Sequence, residues 1–260
     1  MILYDAHNHL QDDRLARHRE QILNDCQSTG VAKMVVNGTH EADWPLVLEL
    51  SRRRDQVIPS FGYHPWYLKR HTAKWKDALN HHLDQAPHAV GEIGLDRWMK
   101  DHDPALQEEM FVAQLEIASE RNLPTSIHCL KASGRLLELL QAGPVPARGF
   151  LLHSYNGSAE MIPRFEQLGA YFSISGYFAH ERKEKHVEIL KQIPIERLLI
   201  ETDAPDMLPP NRLVSHPVEG GLNHPANLRS VYEFAATIFE LPIEEFTHLI
   251  ARNFQRLFLP

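Results

Sequence analysis

Residues 89–129 read AVGEIGLDRWMKDHDPALQEEMFVAQLEIASERNLPTSIHC, and three segments of different period lie within them. Ala89 to Asp96 is a short apolar run of strand length. Pro104 to Arg121 places Leu106, Met110, Ala113 and Ile117 on one helical face, behind an Asp103-Pro104 start of the kind that opens helices. Pro124 to Cys129 returns to a β-rich run. Strand, helix, strand in that order is the parallel crossover unit.

Similar short runs recur at Ile2 to His9, Val31 to Thr39, Val57 to Pro65, Phe150 to Tyr155, Ala170 to Tyr177 and Leu198 to Asp203, which makes eight with the two above. Helical periods fill the intervals. Eight alternating units in a chain of 260 residues predict an α/β fold, a single (β/α)8 barrel over residues 1–260, because that architecture uses roughly 250 residues. An open doubly wound sheet is the alternative. Beyond the eighth run, a Pro- and Gly-rich loop from Ala204 to Pro225 precedes two helices, the second from Ile243 to Phe258.

The composition, 43% apolar and 23% charged, is that of a globular protein with material for a large core. No apolar run reaches bilayer length, and MILYDAHNHL has neither a basic flank nor a small-residue cleavage site. A soluble, unexported, cytoplasmic protein without membrane association is expected. Cys26 and Cys129 stand alone in sequence, which fits a reducing compartment. A net charge of −7 argues against a protein that coats nucleic acid, yet leaves a nuclease open because bound cations add local positive charge.

Polar residues suited to metal binding gather at the ends of these runs. His7 and His9 end the first, Glu92 lies in the fourth, His128 in the fifth, His153 in the sixth and Asp203 ends the eighth. The carboxyl ends of barrel strands are where enzymes of this fold build their sites. One catalytic zinc normally takes three protein ligands and keeps a position open. Four imidazoles and two carboxylates therefore point to two divalent cations sharing a carboxylate, an arrangement suited to phosphate ester cleavage. Mixed imidazole and carboxylate ligation leaves zinc, manganese and magnesium open.

These residues resemble a known family. Asp5-Ala-His-Asn-His9, Gly62-Tyr-His-Pro65, Gly91-Glu-Ile-Gly-Leu-Asp96, Ile127-His128, Leu152-His153, Ser173-Ile-Ser-Gly176, Glu201-Thr-Asp-Ala-Pro205 and Arg256-Leu-Phe258 are similar to the motifs of TatD-family hydrolases, within the amidohydrolase-type metal barrels. The resemblance implies one cation on His7, His9, Glu92 and Asp203 and another on Glu92, His128 and His153. It further implies that Glu92 bridges and that Asp203 orients the attacking water and takes its proton. It implies a deoxyribonuclease acting on strand ends, with nucleic acid or another phosphate ester as substrate and no obligatory protein partner. Ester or amide hydrolysis, including deacylation of aminoacyl-tRNA, is the alternative activity, and a non-catalytic metal barrel a more distant one.

One position departs from the family pattern. Members carry Arg two residues after the fifth-strand His, and here Leu130 stands there, so Lys131 or Arg135 is expected to grip the phosphate or the substrate differs. His64 is a further candidate donor to substrate, and Glu201 and Asp96 are candidates to support the metal-binding imidazoles. Trp66 and Trp98, just past the third and fourth runs, are candidate stacking platforms, whereas Trp44 and Trp75 read as core. Arg52 to Arg54, and equally Arg182, Lys183 and Lys185, read as solvated helix ends.

Overall fold

In the computed structural model, which describes residues 1–259, eight parallel strands form one sheet in sequence order. They are β1 (Leu3–Asn8), β2 (Val31–Asn37), β3 (Val57–Phe61), β4 (Ala89–Asp96), β5 (Thr125–Leu130), β6 (Phe150–Leu152), β7 (Ala170–Ile174) and β8 (Leu198–Ile200). The helices between them are α1 (Arg19–Ser28), α2 (Trp44–Arg53), α3 (Trp75–Gln85), α4 (Pro104–Glu120), α5 (Ser133–Ala142), α6 (Ile162–Glu166) and α7 (Glu184–Leu190), followed by α8 (Leu228–Ile238) and α9 (Ile243–Phe258). The expected barrel is the observed one. Its seam closes just beyond β8, where Asp203 N–H donates to the His7 carbonyl (2.9 Å) and His9 N–H to the Ala204 carbonyl (2.7 Å).

Strands β6 and β8 are shorter than the apolar runs imply. The backbone leaves extended geometry at Ser154 (φ 42°) and Asp203 (φ 51°), so the residues that follow turn across the rim instead of continuing along it. Helix α4 starts as read, with the Asp103 carboxylate accepting from Leu106 N–H. Its buried stripe, however, runs through Gln107, Met110, Phe111, Gln114 and Ala118, leaving Leu106 and Ala113 only partly covered. Two glutamines face inward because they satisfy backbone groups of neighbouring segments. Gln107 accepts from Asp96 N–H (3.1 Å) and donates to the Asp96 carbonyl (3.0 Å), and Gln114 accepts from Tyr63 N–H (2.6 Å).

The main core lies between strands and helices. A second cluster joins Tyr4, Ala6, Val35, Ile58, Leu151, Tyr171 and Leu199 to Phe254, Leu257 and Phe258 of α9. Asn253 of α9 donates to the carbonyl of Leu198 at the start of β8 (2.9 Å), so this helix covers the amino-terminal end of the barrel. The carboxyl end is left for chemistry. There Gly94 allows β4 to approach β5, since a Cβ at that position would stand 2.0 Å from the His128 carbonyl oxygen. No helix among the described residues is long and apolar enough to cross a membrane.

Candidate metal centre

The carboxyl rim brings His7, His9, Glu92, His128, His153 and Asp203 together, and all are buried or nearly so. Glu92 divides them. Its Oε2 lies 3.3 Å from His7 Nε2 and 3.0 Å from His9 Nε2, while Asp203 Oδ1 is 3.6 Å from both of those nitrogens. Its Oε1 lies 3.0 Å from His128 Nδ1, 2.9 Å from His153 Nε2 and 3.1 Å from His64 Nε2. Despite this crowd, Oε1 accepts no hydrogen bond of acceptable geometry.

Within each set the imidazole nitrogens face one another, at 3.3 Å for His7 and His9 and 3.2 Å for His128 and His153. Two donor atoms each about 2.0–2.1 Å from a tetrahedral zinc are about 3.3–3.4 Å apart, so these separations are those of a coordination shell. The far side of each ring is backed. His9 Nδ1 lies 2.8 Å from the Asn37 carbonyl, His128 Nε2 3.1 Å from Asp96 Oδ2 and His7 Nδ1 2.7 Å from Ser126 Oγ. His153 Nδ1 faces Glu201 Oε1 at 3.6 Å, and Glu201 is itself held by the Ser173 hydroxyl. At His9 and His128 an acceptor behind one nitrogen fixes the proton there and turns the lone pair of the other inward, as ligand imidazoles require, whereas His7 Nδ1 also meets Asn37 Nδ2 at 3.1 Å and His153 Nδ1 has no hydrogen-bond partner. The residues present therefore fit divalent-cation binding, as groups such as His7, His9 and Glu92, or His7, His153 and Asp203, bring their ligand atoms together.

His64 is different. Its Nδ1 accepts from Trp66 N–H (3.1 Å), so in the neutral ring Nε2 carries the hydrogen, 3.1 Å from Glu92 Oε1 but without hydrogen-bond geometry to it. Burial, with the charges of His128 and His9, lowers its pKa to about 4 against the pull of Glu92. His64 is thus built as a neutral N–H donor beside the cluster, although its position would also let it complete a group with Glu92 and His128.

Electrostatics reflect the crowding. Burial alone would raise Glu92, yet His64, His153 and His7 hold its carboxyl well below the usual range. Burial pushes Asp203 up to about 7, against His153 and His9. His9 rises to about 9 because Glu92 and Asp203 outweigh its own burial. Protons accumulate in this cluster when no cation neutralises the carboxylates, and cations displace them on binding. Positive φ angles at Lys131 (53°), Ser154 (42°), Asp203 (51°) and Met207 (49°) ring the same rim, and such conformations in non-glycine residues gather where function requires them.

Two clefts flank the cluster. A cavity of about 760 Å³ opens beside His128 and His153, with Leu130, Tyr177, Phe178 and Met207 in its wall. A second of about 420 Å³ lies beside His9 and His64 and is walled by Asp12, Asp13, Asp43 and Asp206 with Arg14 and Arg70. Trp66 and Trp98 stand exposed at the mouth, Trp66 donating to Asp96 Oδ2 at 2.7 Å. Lys131 sets its ammonium 4.8 Å over the Trp98 ring. Arg135 is not brought to the cluster, since Glu108 and Glu138 take its guanidinium, each at 2.7 Å. Cys129 lines the large cavity, and burial pushes its thiol up to about 11.

Arg182 and Lys183 correct the sequence reading. They precede α7 at its amino end and lie on the wall of the large cavity, whereas Arg52 to Arg54 do close α2, with Arg53 and Arg54 pairing to Glu20. Hydrophobic periodicity locates a helix without saying what its first turn faces. The backing residues Ser126 and Asn37 were also missed, for their strand runs carry no sign of which polar groups lie behind an imidazole.

A parallel barrel with buried imidazoles and carboxylates at its carboxyl rim defines the class as a metal-dependent hydrolase. The family model described as TatD related DNase matches residues 4–259, and the chain belongs to that family. It is 29% identical over 260 residues to the uncharacterized metal-dependent hydrolase YabD of Bacillus subtilis, covering 99% of each chain. It is 33% identical over 233 residues to the 3'-5' ssDNA/RNA exonuclease TatD of Salmonella typhimurium, covering 89% of each. The crystal structure of YjjV, a TatD homolog from Escherichia coli K12, superposes with a TM-score of 0.90 at 27% identity, over 98% of this chain and 97% of that one.

Proposed function

We propose that this protein is a divalent-metal-dependent phosphodiesterase that cleaves single-stranded nucleic acid from an end. The observation that carries the proposal is the division of Glu92, whose two oxygens each face a separate pair of inward-turned imidazole nitrogens. In this reading His7, His9, Glu92 and Asp203 hold one cation and Glu92, His128 and His153 the other. Ions bound there supply Lewis acidity, polarising a phosphoryl oxygen and easing the deprotonation of water.

The chain's own groups do the rest. Asp203 accepts the proton of the attacking water, a task suited to a carboxylate that lies among the ligand imidazoles, 3.6 Å from His7 and His9. His64 donates its Nε2–H to a non-bridging phosphate oxygen, a neutral donor fixed by the Trp66 backbone. Asp96, Ser126, Asn37 and Glu201 keep the four ligand rings oriented. Trp66 and Trp98 offer bases an aromatic face at the mouth, where stacking contributes about 1–3 kcal/mol per base. The relative named as an exonuclease on single-stranded DNA and RNA supports this substrate class.

The test is hydrolysis of single-stranded DNA and RNA labelled at either end, with and without manganese, zinc or magnesium. Release of mononucleotides from one end, abolished by chelation, is expected. Metal-dependent turnover of carboxylic esters with none of phosphodiesters would replace this reading by the ester-hydrolase alternative.

A further inference from the structure

The wall of the large cavity carries two cations, Arg182 and Lys183, and no carboxylate. Among the described residues, Arg182 and Lys183 form no ion pair, in contrast to Arg14, Arg53, Arg54, Arg97, Arg121 and Arg135. Both lie on the face of Tyr177, at 5.0 Å from the ring centroid each, and Lys183 also lies 5.7 Å from Phe178. They close the short turn Glu181–Lys183 that leads into α7. They sit just before the amino end of α7, where the helix dipole favours anions and disfavours cations. In a chain of net charge −7, these two cations are held against an aromatic ring on the wall of a cavity whose lining contains no carboxylate.

The opposite cleft is of the other sign. Asp12, Asp13, Asp43 and Asp206 outnumber its cations, and Arg14 is spent on Asp12 and Asp206. A polyanion crossing the rim is therefore attracted on one side of the imidazole cluster and repelled on the other. The cavity that His128, His153, Arg182 and Lys183 all line is largely apolar, and its volume lies within the roughly 300–1,000 Å³ of sites for small organic groups.

We propose that Arg182 and Lys183, set against Tyr177, bind the phosphate next to the scissile one, and that the cavity between them and the imidazole cluster holds the intervening nucleoside. This rests on the phosphodiesterase reading for the word scissile, but the binding subsite stands independently of turnover. It makes the enzyme selective for substrates with at least two phosphates flanking a nucleoside. It also fixes the side on which the strand lies, over the loop after β7 and away from Asp12 and Asp43.

The experiment compares wild type with Arg182→Ala/Lys183→Ala and, as a check on packing, Arg182→Gln/Lys183→Gln. Binding of fluorescein-labelled pentathymidylate and its ribo counterpart is followed by anisotropy in EDTA across a salt series, and turnover of pentathymidylate and bis(4-nitrophenyl) phosphate is measured with metal. The proposal expects strand affinity to fall about tenfold in both double variants, with the slope of log affinity against log salt shallower by about 0.7 for the one phosphate lost. The small diester, lacking a second phosphate, is hydrolysed at the wild-type rate. Strand affinity that falls in both double variants, with no turnover of either substrate by wild type, would sink the phosphodiesterase reading and leave the subsite supported. Unchanged affinity and salt slope, no strand binding by wild type, or equal loss on both substrates would overturn the subsite.

Discussion

Asp96 Oδ2 lies 3.1 Å from His128 Nε2, on the edge of the imidazole opposite the one that faces Glu92. The same oxygen accepts from Trp66 Nε1 at 2.7 Å, and Gln107 of α4 holds both backbone groups of Asp96. These hydrogen bonds hold the Asp96 carboxyl well below the usual range, although its burial works the other way. Asp96→Asn keeps the shape but removes the charge that orients His128. The variant is expected to lose about 10- to 100-fold in affinity for the ion nearer His128, with unchanged circular dichroism. Titration calorimetry checks it, and equal affinities would reduce Asp96 to a partner of Trp66.

Asp203 takes the general-base role in this account. Asp203→Asn is expected to lower kcat by about 10²–10⁴ while metal content, measured on the same sample, stays near that of wild type. A variant that keeps its metal and turns over at close to the wild-type rate would remove Asp203 from the general-base role and leave it a ligand or strand anchor.

Lys131 and Arg135 separate cleanly. Arg135 is committed to Glu108 and Glu138, while Lys131 stands over Trp98 at the cavity mouth with no carboxylate partner among the described residues. Lys131→Ala is expected to raise KM for a phosphodiester strand roughly fivefold, the worth of about 1 kcal/mol, with kcat unchanged. Arg135→Ala should leave both constants alone. The reverse pattern would mean that α5 rearranges on binding.

His224 supplies a pH test away from the metal cluster. Its Nδ1 accepts from Ala226 N–H at 2.9 Å, so the folded ring is neutral there. Burial, with His216 and His18, lowers its pKa to about 4, only partly opposed by Asp25 at 3.4 Å from Nε2. The unfolded chain binds this proton near pH 6.5, so the stability is complete above that value and is lost as pH falls toward 4. His224→Asn retains an acceptor for Ala226 without titrating. Urea midpoints at pH 7 and pH 4.5 are expected to differ less in the variant than in wild type; an equal difference would assign the acid loss elsewhere.

How much of this was legible in sequence follows from what each residue answers to. The strands were readable because burial on both faces leaves continuous apolar runs, and the ligand candidates because they end those runs. Strand ends were not, for nothing in Leu152-His153-Ser154 announces that Ser154 turns to positive φ. The inward glutamines of α4 broke the apolar periodicity for the same reason that Asp96 is held so firmly, since polar side chains there complete the backbone of β4. Arg182 and Lys183 look like any solvated helix end until the loop after β7 folds them over Tyr177.

The central claim is that Glu92 holds two cations, one on each oxygen, and metal stoichiometry tests it most directly. Wild type and Glu92→Gln are stripped, reconstituted with manganese or zinc, freed of excess ion and analysed by mass spectrometry, with thermal melting as a control for folding. The account predicts two ions per wild-type chain and no more than one in a folded Glu92→Gln variant at the same free metal. A single ion in saturated wild type, bound with the same affinity after Glu92→Gln, would contradict it.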